Sequence, residues 1–134
     1  MISSAGNPFS RYYAEILRAE GLNAFTARDI SLIDAPFLAG YQVVILGDMA
    51  LDGAQASLLS DWVTAGGNLI AMRPDANLAG LLGLTPAAGT LAEGYFLVDT
   101  AAAPGAGIVN QTMQFHGTAD LYTLNGATEV ARLY

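Results

Sequence analysis

The sequence predicts an α/β fold, a mostly parallel sheet with helices on both faces, followed by antiparallel strands. Three observations carry this. Helical and strand-like hydrophobic periods alternate from Met1 to Leu84. Two runs, Tyr41–Leu46 and Asn68–Met72, are continuously apolar rather than alternating, as strands covered on both faces are. Beyond Leu84 the texture shifts to Ala, Gly, Thr and Pro around short strand-like runs. A length of 134 residues suits one domain. We read 1–134 as that domain, with a βα core over 1–84 and an antiparallel extension over 85–134.

Met1–Ser3 is a short apolar start, the end of a strand. Asn7-Pro8 opens the first helix: Asn accepts from free N–H groups, and Pro at the first position lacks an N–H that would be orphaned there. Phe9, Tyr13, Ile16 and Leu17 then fall at i, i+4, i+7 and i+8, one apolar stripe at helical period, and Gly21 closes the helix. On this spacing Tyr12, Tyr13 and Trp62 are read as core rather than as a stacking platform. A short strand is predicted over Asn23–Thr26, and one helical turn within Asp29–Gly40. After Tyr41–Leu46, Asp52 caps a helix that buries Leu58, Leu59, Trp62 and Val63 and stops at Gly66-Gly67. The strand Asn68–Met72 follows, then the turn Arg73-Pro74-Asp75 and a third helix around Asn77–Leu82. In the last third, strands are predicted over Tyr95–Asp99, Ile108–Phe115 and Thr128–Tyr134, with turns at His116-Gly117 and Asn125-Gly126. They are expected to attach as hairpins to the edge of the sheet.

Charge and composition remove several function classes. Five basic residues, all Arg, stand against 12 acidic ones, for a net charge of −7. Arg11, Arg18, Arg28, Arg73 and Arg132 are scattered, whereas displacing counterions from nucleic-acid phosphates needs clustered positive charge. No nucleic-acid partner is expected, and the same sparsity argues against an anionic membrane surface. Without Lys there is no Schiff-base chemistry and no P-loop. Without Cys there is no thiolate nucleophile or thiolate metal site. No run is long and apolar enough to span a membrane, and the N-terminus lacks signal-peptide features. The default expectation is a cytoplasmic protein. A chain that starts and stops within strand-forming residues also has the look of a piece of a longer or exported one.

The most specific stretch is Leu59-Ser60-Asp61-Trp62-Val63-Thr64-Ala65-Gly66-Gly67-Asn68-Leu69-Ile70, preceded by Tyr41–Leu46. A buried strand, a helix ending in W-V-x-x-G-G and a second buried strand resemble the class I glutamine amidotransferase-like superfamily, over residues 1–84. The resemblance implies a flavodoxin-like three-layer sandwich and a nucleophile elbow, G-x-C-x-G, after the second of these strands. Here that place reads Ile70-Ala71-Met72-Arg73-Pro74-Asp75, with Met72 where the family has its Cys and Pro74 where it has the second Gly. A thioether cannot attack a carbonyl as a thiolate does, and Pro cannot take positive φ. The resemblance thus implies a degenerate member that has lost the amide-cleaving reaction.

Candidate ligand-binding residues follow from position. Ser4 and Asn7 lie between the first strand and helix, where doubly wound folds hold anions on helix N–H groups; the plainer reading is a capped tight turn. Asp48 and Asp75 each follow a parallel strand, so both belong at the carboxyl edge, where a hard cation is the less favoured reading. Arg73 either clamps a carboxylate or pairs with Asp75. His116, the only His, is a general base held by Asp120 or, more plainly, a strand-end residue bonded to backbone. No catalytic residue, metal or cofactor is assigned. The expected function is a non-catalytic binding or assembly domain for a small-molecule or protein ligand. The alternative is a hydrolase using Asp48, Asp75 and His116. The strand-forming end Val130–Tyr134 is expected to pair with a second copy, giving a homodimer.

Overall fold

Four short strands, β1 (Ile2–Ser3), β2 (Arg28–Asp29), β3 (Val43–Leu46) and β4 (Asn68–Ala71), pair in parallel in the order β2-β1-β3-β4. They belong to the first of two compact units, Met1–Leu78 and Ala79–Tyr134, in a computed structural model that describes residues 1–101 and 103–134. The helix α1 (Ser10–Ala19) connects β1 to β2. A 3-10 turn (Ile30–Leu32) and the short helix α2 (Ala35–Leu38) lead to β3, and α3 (Gly53–Thr64) connects β3 to β4. The β1-to-β2 and β3-to-β4 crossovers run in opposite directions along the sheet, so the right-handed rule puts α1 and α3 on opposite faces.

The ladder pairs Ile2 with Leu46, Val44 with Leu69 and Leu46 with Ala71. Ile2, Val44 and Leu46 therefore share one face, and all three are buried, as are Leu38 of α2 and Leu59 of α3. The opposite face is not covered throughout, contrary to what the unbroken apolar runs suggest: Val43 is 53% and Ile70 49% exposed. The reason is local. The ten-residue α1 packs over β1, which leaves β3 and β4 open on that side.

Within α1 the helical period holds but its phase is rotated. Ser10 and Ala14 are buried and Tyr13 and Leu17 half-buried, while Phe9 and Ile16 face solvent. Tyr12 is exposed too, its ring 5.8 Å from that of Phe9, so it is not core. Small residues take the inner line because the helix comes very close to the end of β3. A Cβ added at Gly47 would lie 2.5 Å from the Cβ of Ser10.

Asn23–Thr26 is not a strand. The segment runs beside β1, with Met1 donating to Thr26 O and Arg28 N to Met1 O, but the ladder covers only Ile2–Ser3 opposite Arg28–Asp29. Asp52 caps α3 with a full capping box, accepting from Gln55 N at 2.8 Å while Gln55 Oε1 accepts from Asp52 N at 3.0 Å. Ala56 and Leu59 are buried on this helix; Leu58, Trp62 and Val63 are half-buried. The two glycines that follow have different roles. Gly66 takes φ +107°, and Gly67 lies so close beneath the Trp62 indole that any Cβ would overlap it. The predicted third helix shrinks to a 3-10 turn, Ala76–Leu78.

The second unit is antiparallel. Its strands are β5 (Gly89–Ala92), β6 (Tyr95–Val98), β7 (Met113–Gln114), β8 (Thr118–Leu121) and β9 (Ala131–Leu133). They form a β5-β8 pair and a β7-β6-β9 sheet. The strands thus pair among themselves rather than adding to the edge of the parallel sheet. The run Ile108–Phe115 yields only Met113–Gln114 as strand, with Ile108 and Val109 exposed. The strands β5 and β8 have no hydrophobic run behind them, being built largely from Gly, Thr and Ala. Both predicted turns contain a glycine at positive φ, Gly117 at +101° and Gly126 at +103°. Asn125 N and Ala127 N both donate to Gly83 O, at 2.7 and 3.1 Å, across a contact too tight for a side chain at Gly83. Among the described residues no helix is long and apolar enough to cross a membrane.

Candidate functional site

Ligands of parallel α/β sheets bind outside the carboxyl ends of the strands, and four of the candidate residues meet there in the first unit through main-chain bonds. In the β1–α1 loop, Asn7 N donates to Ser4 O and Gly6 N to Ser4 Oγ, both at 3.2 Å. Asn7 Oδ1 accepts from Phe9 N at 3.1 Å, and Asn7 O accepts from Ser10 N and Ser10 Oγ. Arg11 N and Tyr12 N are taken by Pro8 O and Phe9 O. The N–H groups that would hold an anion at this helix end already have acceptors, which is the arrangement of a capped turn.

The Asn7 amide also reaches outward, donating from Nδ2 to Asp48 O at 2.8 Å and tying the first loop to the one after β3. Asp75 ties the loop after β4 to that same segment. Its Oδ2 accepts from Leu51 N at 3.3 Å and its Oδ1 from Asn77 N at 2.8 Å, while Asn77 Nδ2 donates to Leu51 O at 3.1 Å. Ser4, Asn7, Asp48 and Asp75 are thus joined in one chain of loop-to-loop bonds. The Asp48 side chain is half-buried.

Met72 sits directly after β4, half-buried, with its N–H on Leu46 O at 2.9 Å. Arg73, the next residue, takes φ +46°, the left-handed region that a non-glycine residue rarely enters. The sharp corner is therefore at Arg73, one residue past the position that the sequence pattern marks.

Two acidic residues that the sequence reading passed over do much of the loop positioning. Asp29 Oδ1 accepts from the Ser31 hydroxyl at 2.7 Å and Ser31 N at 2.9 Å, and Oδ2 accepts from Ala5 N at 2.8 Å. The Ser31 hydroxyl and then its N–H hold this carboxyl below the usual carboxylate range. The legible signal was Asp29-Ile30-Ser31, an Asp followed two residues on by Ser, which suits an Asx turn.

In the second unit, His116 finds Glu93. Its Nδ1 lies 2.7 Å from Glu93 Oε2, and Gly117 N donates to Glu93 Oε1 at 2.6 Å. Glu93 itself takes φ +49° at the β5–β6 turn. The Gly117 N–H, then the imidazole, hold its carboxyl below the usual range; an ionised carboxylate only accepts, so Nδ1–H is the donor. Both side chains are open to solvent, at 78% and 59% exposure. A depressed folded-state pKa means the stabilising contribution is present above the ordinary value of 4.5 and lost as pH falls through the lower folded value. The Gly117 amide proton should therefore show an upfield step centred below pH 4.5 in an NMR titration, and Glu93→Gln should abolish that step. The absence of that acid step, or its survival in Glu93→Gln, would contradict the bonding described.

No three His, Asp or Glu side chains converge to hold a metal among the described residues. Compared with protein-family models, curated proteins and solved structures, the chain matches none.

Proposed function

We propose that the chain is a non-catalytic binding or assembly domain, with its first unit a degenerate relative of the amidotransferase-like proteins in a flavodoxin-like, three-layer form. The observation that carries this reading is the use of the carboxyl-edge side chains. Asn7, Asp29 and Asp75, three polar residues at that edge, are engaged with main-chain atoms of neighbouring loops. Three further features support it. The strand order β2-β1-β3-β4 agrees with the start of the flavodoxin order. The left-handed Arg73 stands at a strand-end corner like the strained one that carries a nucleophile in elbow folds. A thioether and a guanidinium occupy that corner, in a chain with no Cys and no Lys.

Two measurements on the full chain test the proposal. Ammonia release from glutamine and hydrolysis of simple esters, assayed between about pH 6 and 8, should stay at the protein-free rate. Turnover abolished by Asp48→Asn or His116→Ala would overturn the reading in favour of the hydrolase. Asp75→Ala should act on stability alone. It leaves Asn77 N and the N–H of buried Leu51 without their acceptor, at a cost of about 1–3 kcal/mol in urea unfolding.

A further inference from the structure

One edge of the parallel sheet, at β4, carries no strand among the described residues. Asn68 N and Met72 N donate to Gln42 O and Leu46 O at 3.0 and 2.9 Å, so the even-numbered residues of β4 bond towards β3. The peptide groups of Leu69 and Ala71 point the other way, to an edge that carries no strand among the described residues. Such edges are normally guarded by charge, Pro or a bulge. The edge strand β2 consists of Arg28 and Asp29, and β9 carries Arg132, whose guanidinium lies 2.8 Å from Glu129. Asn68–Met72 has neither a charged residue nor Pro. The neutral strand β5 starts at a glycine and presents no large exposed apolar side chain. Beside β4, in contrast, Ile70 and Val43 are about half exposed on one face.

We propose that β4 pairs antiparallel with β4 of a second copy, the two-fold axis passing at Ile70. With Ile70 opposite Ile70, Leu69 of one chain faces Ala71 of the other and Ala71 faces Leu69. Each of these two residue pairs exchanges both of its N–H···O bonds and uses the groups that β3 leaves free. The side chains fit in the same register. Large Leu69 meets small Ala71 on one face, while Ile70 covers Ile70 on the other. Charge favours the place as well, because two copies each at −7 repel and a contact between uncharged strands brings no further like charges together. The result is an isologous dimer with one continuous eight-stranded sheet, β2-β1-β3-β4 doubled about its axis. The contact is short, which places it among weak, micromolar or looser interfaces. It is independent of any chemistry at the carboxyl edge.

The chain has no Cys, so a single introduced thiol can only cross-link two copies. Opposed residues of a non-hydrogen-bonded pair have Cα atoms close enough for a disulfide. Ile70→Cys should form a covalent dimer under mild oxidation at least ~10-fold faster than the equally exposed Val43→Cys or the β9 variant Ala131→Cys. In sedimentation, the mass of the unmodified chain should rise from 13.9 kDa towards twice that with concentration. Ile70→Lys should hold it at 13.9 kDa with an unchanged circular dichroism spectrum. A single-chain mass up to about 1 mM with no preference for Ile70→Cys would overturn the proposal. So would faster cross-linking of Ala131→Cys, which moves the contact to β9, or a dimer that survives Ile70→Lys.

Discussion

Leu59→Ala should destabilise the first unit by about 2–5 kcal/mol, the range for truncating a sealed aliphatic side chain. Leu59 is 0% exposed and is one of two buried residues on α3, the other being the small Ala56. The helix is therefore held to its layer largely through this side chain, and shortening it leaves a void that a 12-residue helix cannot close without moving its caps. Urea unfolding followed by Trp62 fluorescence measures this cleanly. Trp62 is the only Trp and lies one turn along the same helix, within the unit concerned. The midpoint should fall with little change in slope. Leu59→Met, which keeps the volume, should cost under about 1.5 kcal/mol. A loss below ~1 kcal/mol for Leu59→Ala would mean that α3 is not anchored here.

Gly47→Ala should cost roughly 1–3 kcal/mol, although it adds a single methyl group and Gly47 has no unusual φ. The added carbon would stand 2.5 Å from Ser10 Cβ and 3.3 Å from Ile2 O, so β3 and α1 would have to separate. The separation also pulls on Asn7, whose amide is fixed to the residue after Gly47. Ser10→Gly removes the opposing carbon and should partly restore the double variant. A double-mutant cycle should then give a coupling of at least ~0.5 kcal/mol, with the Asn7 side-chain amide resonances reporting whether its bond to Asp48 returns. Additive losses would show that the two positions do not touch.

How much of this was legible depended on what kind of signal each residue gives. The Asp52 cap, the stop at Gly66 and the positions of the two apolar strands were readable because capping, positive φ and hydrophobic runs are local signals. The exposure of Val43 and Ile70, in contrast, depends on what packs above them. The α1 stripe was legible in period but not in phase, because the phase is set by Gly47, far away in the chain. The strands β5 and β8 gave no warning. Their stability comes from mutual pairing, Gly89 with Leu121 through Ala92 with Thr118, and not from a hydrophobic period. At the site, Asn7 was singled out for its helix-capping place, yet its bond to Asp48 O spans 41 positions and no local pattern encodes it. Glu93 was missed for the same reason, since its partner His116 lies 23 positions on.

The struts at the carboxyl edge end on main-chain atoms: Asp48 O, Leu51 N, Leu51 O and Ala5 N. A peptide group is present whatever residue carries it. Neighbouring exposed positions such as Ala5, Gly6 and Ala50 can therefore take new side chains while the rim keeps its shape. Groups introduced there would be presented on a frame already stiff before any ligand arrives, so little of their binding energy would go into ordering the protein.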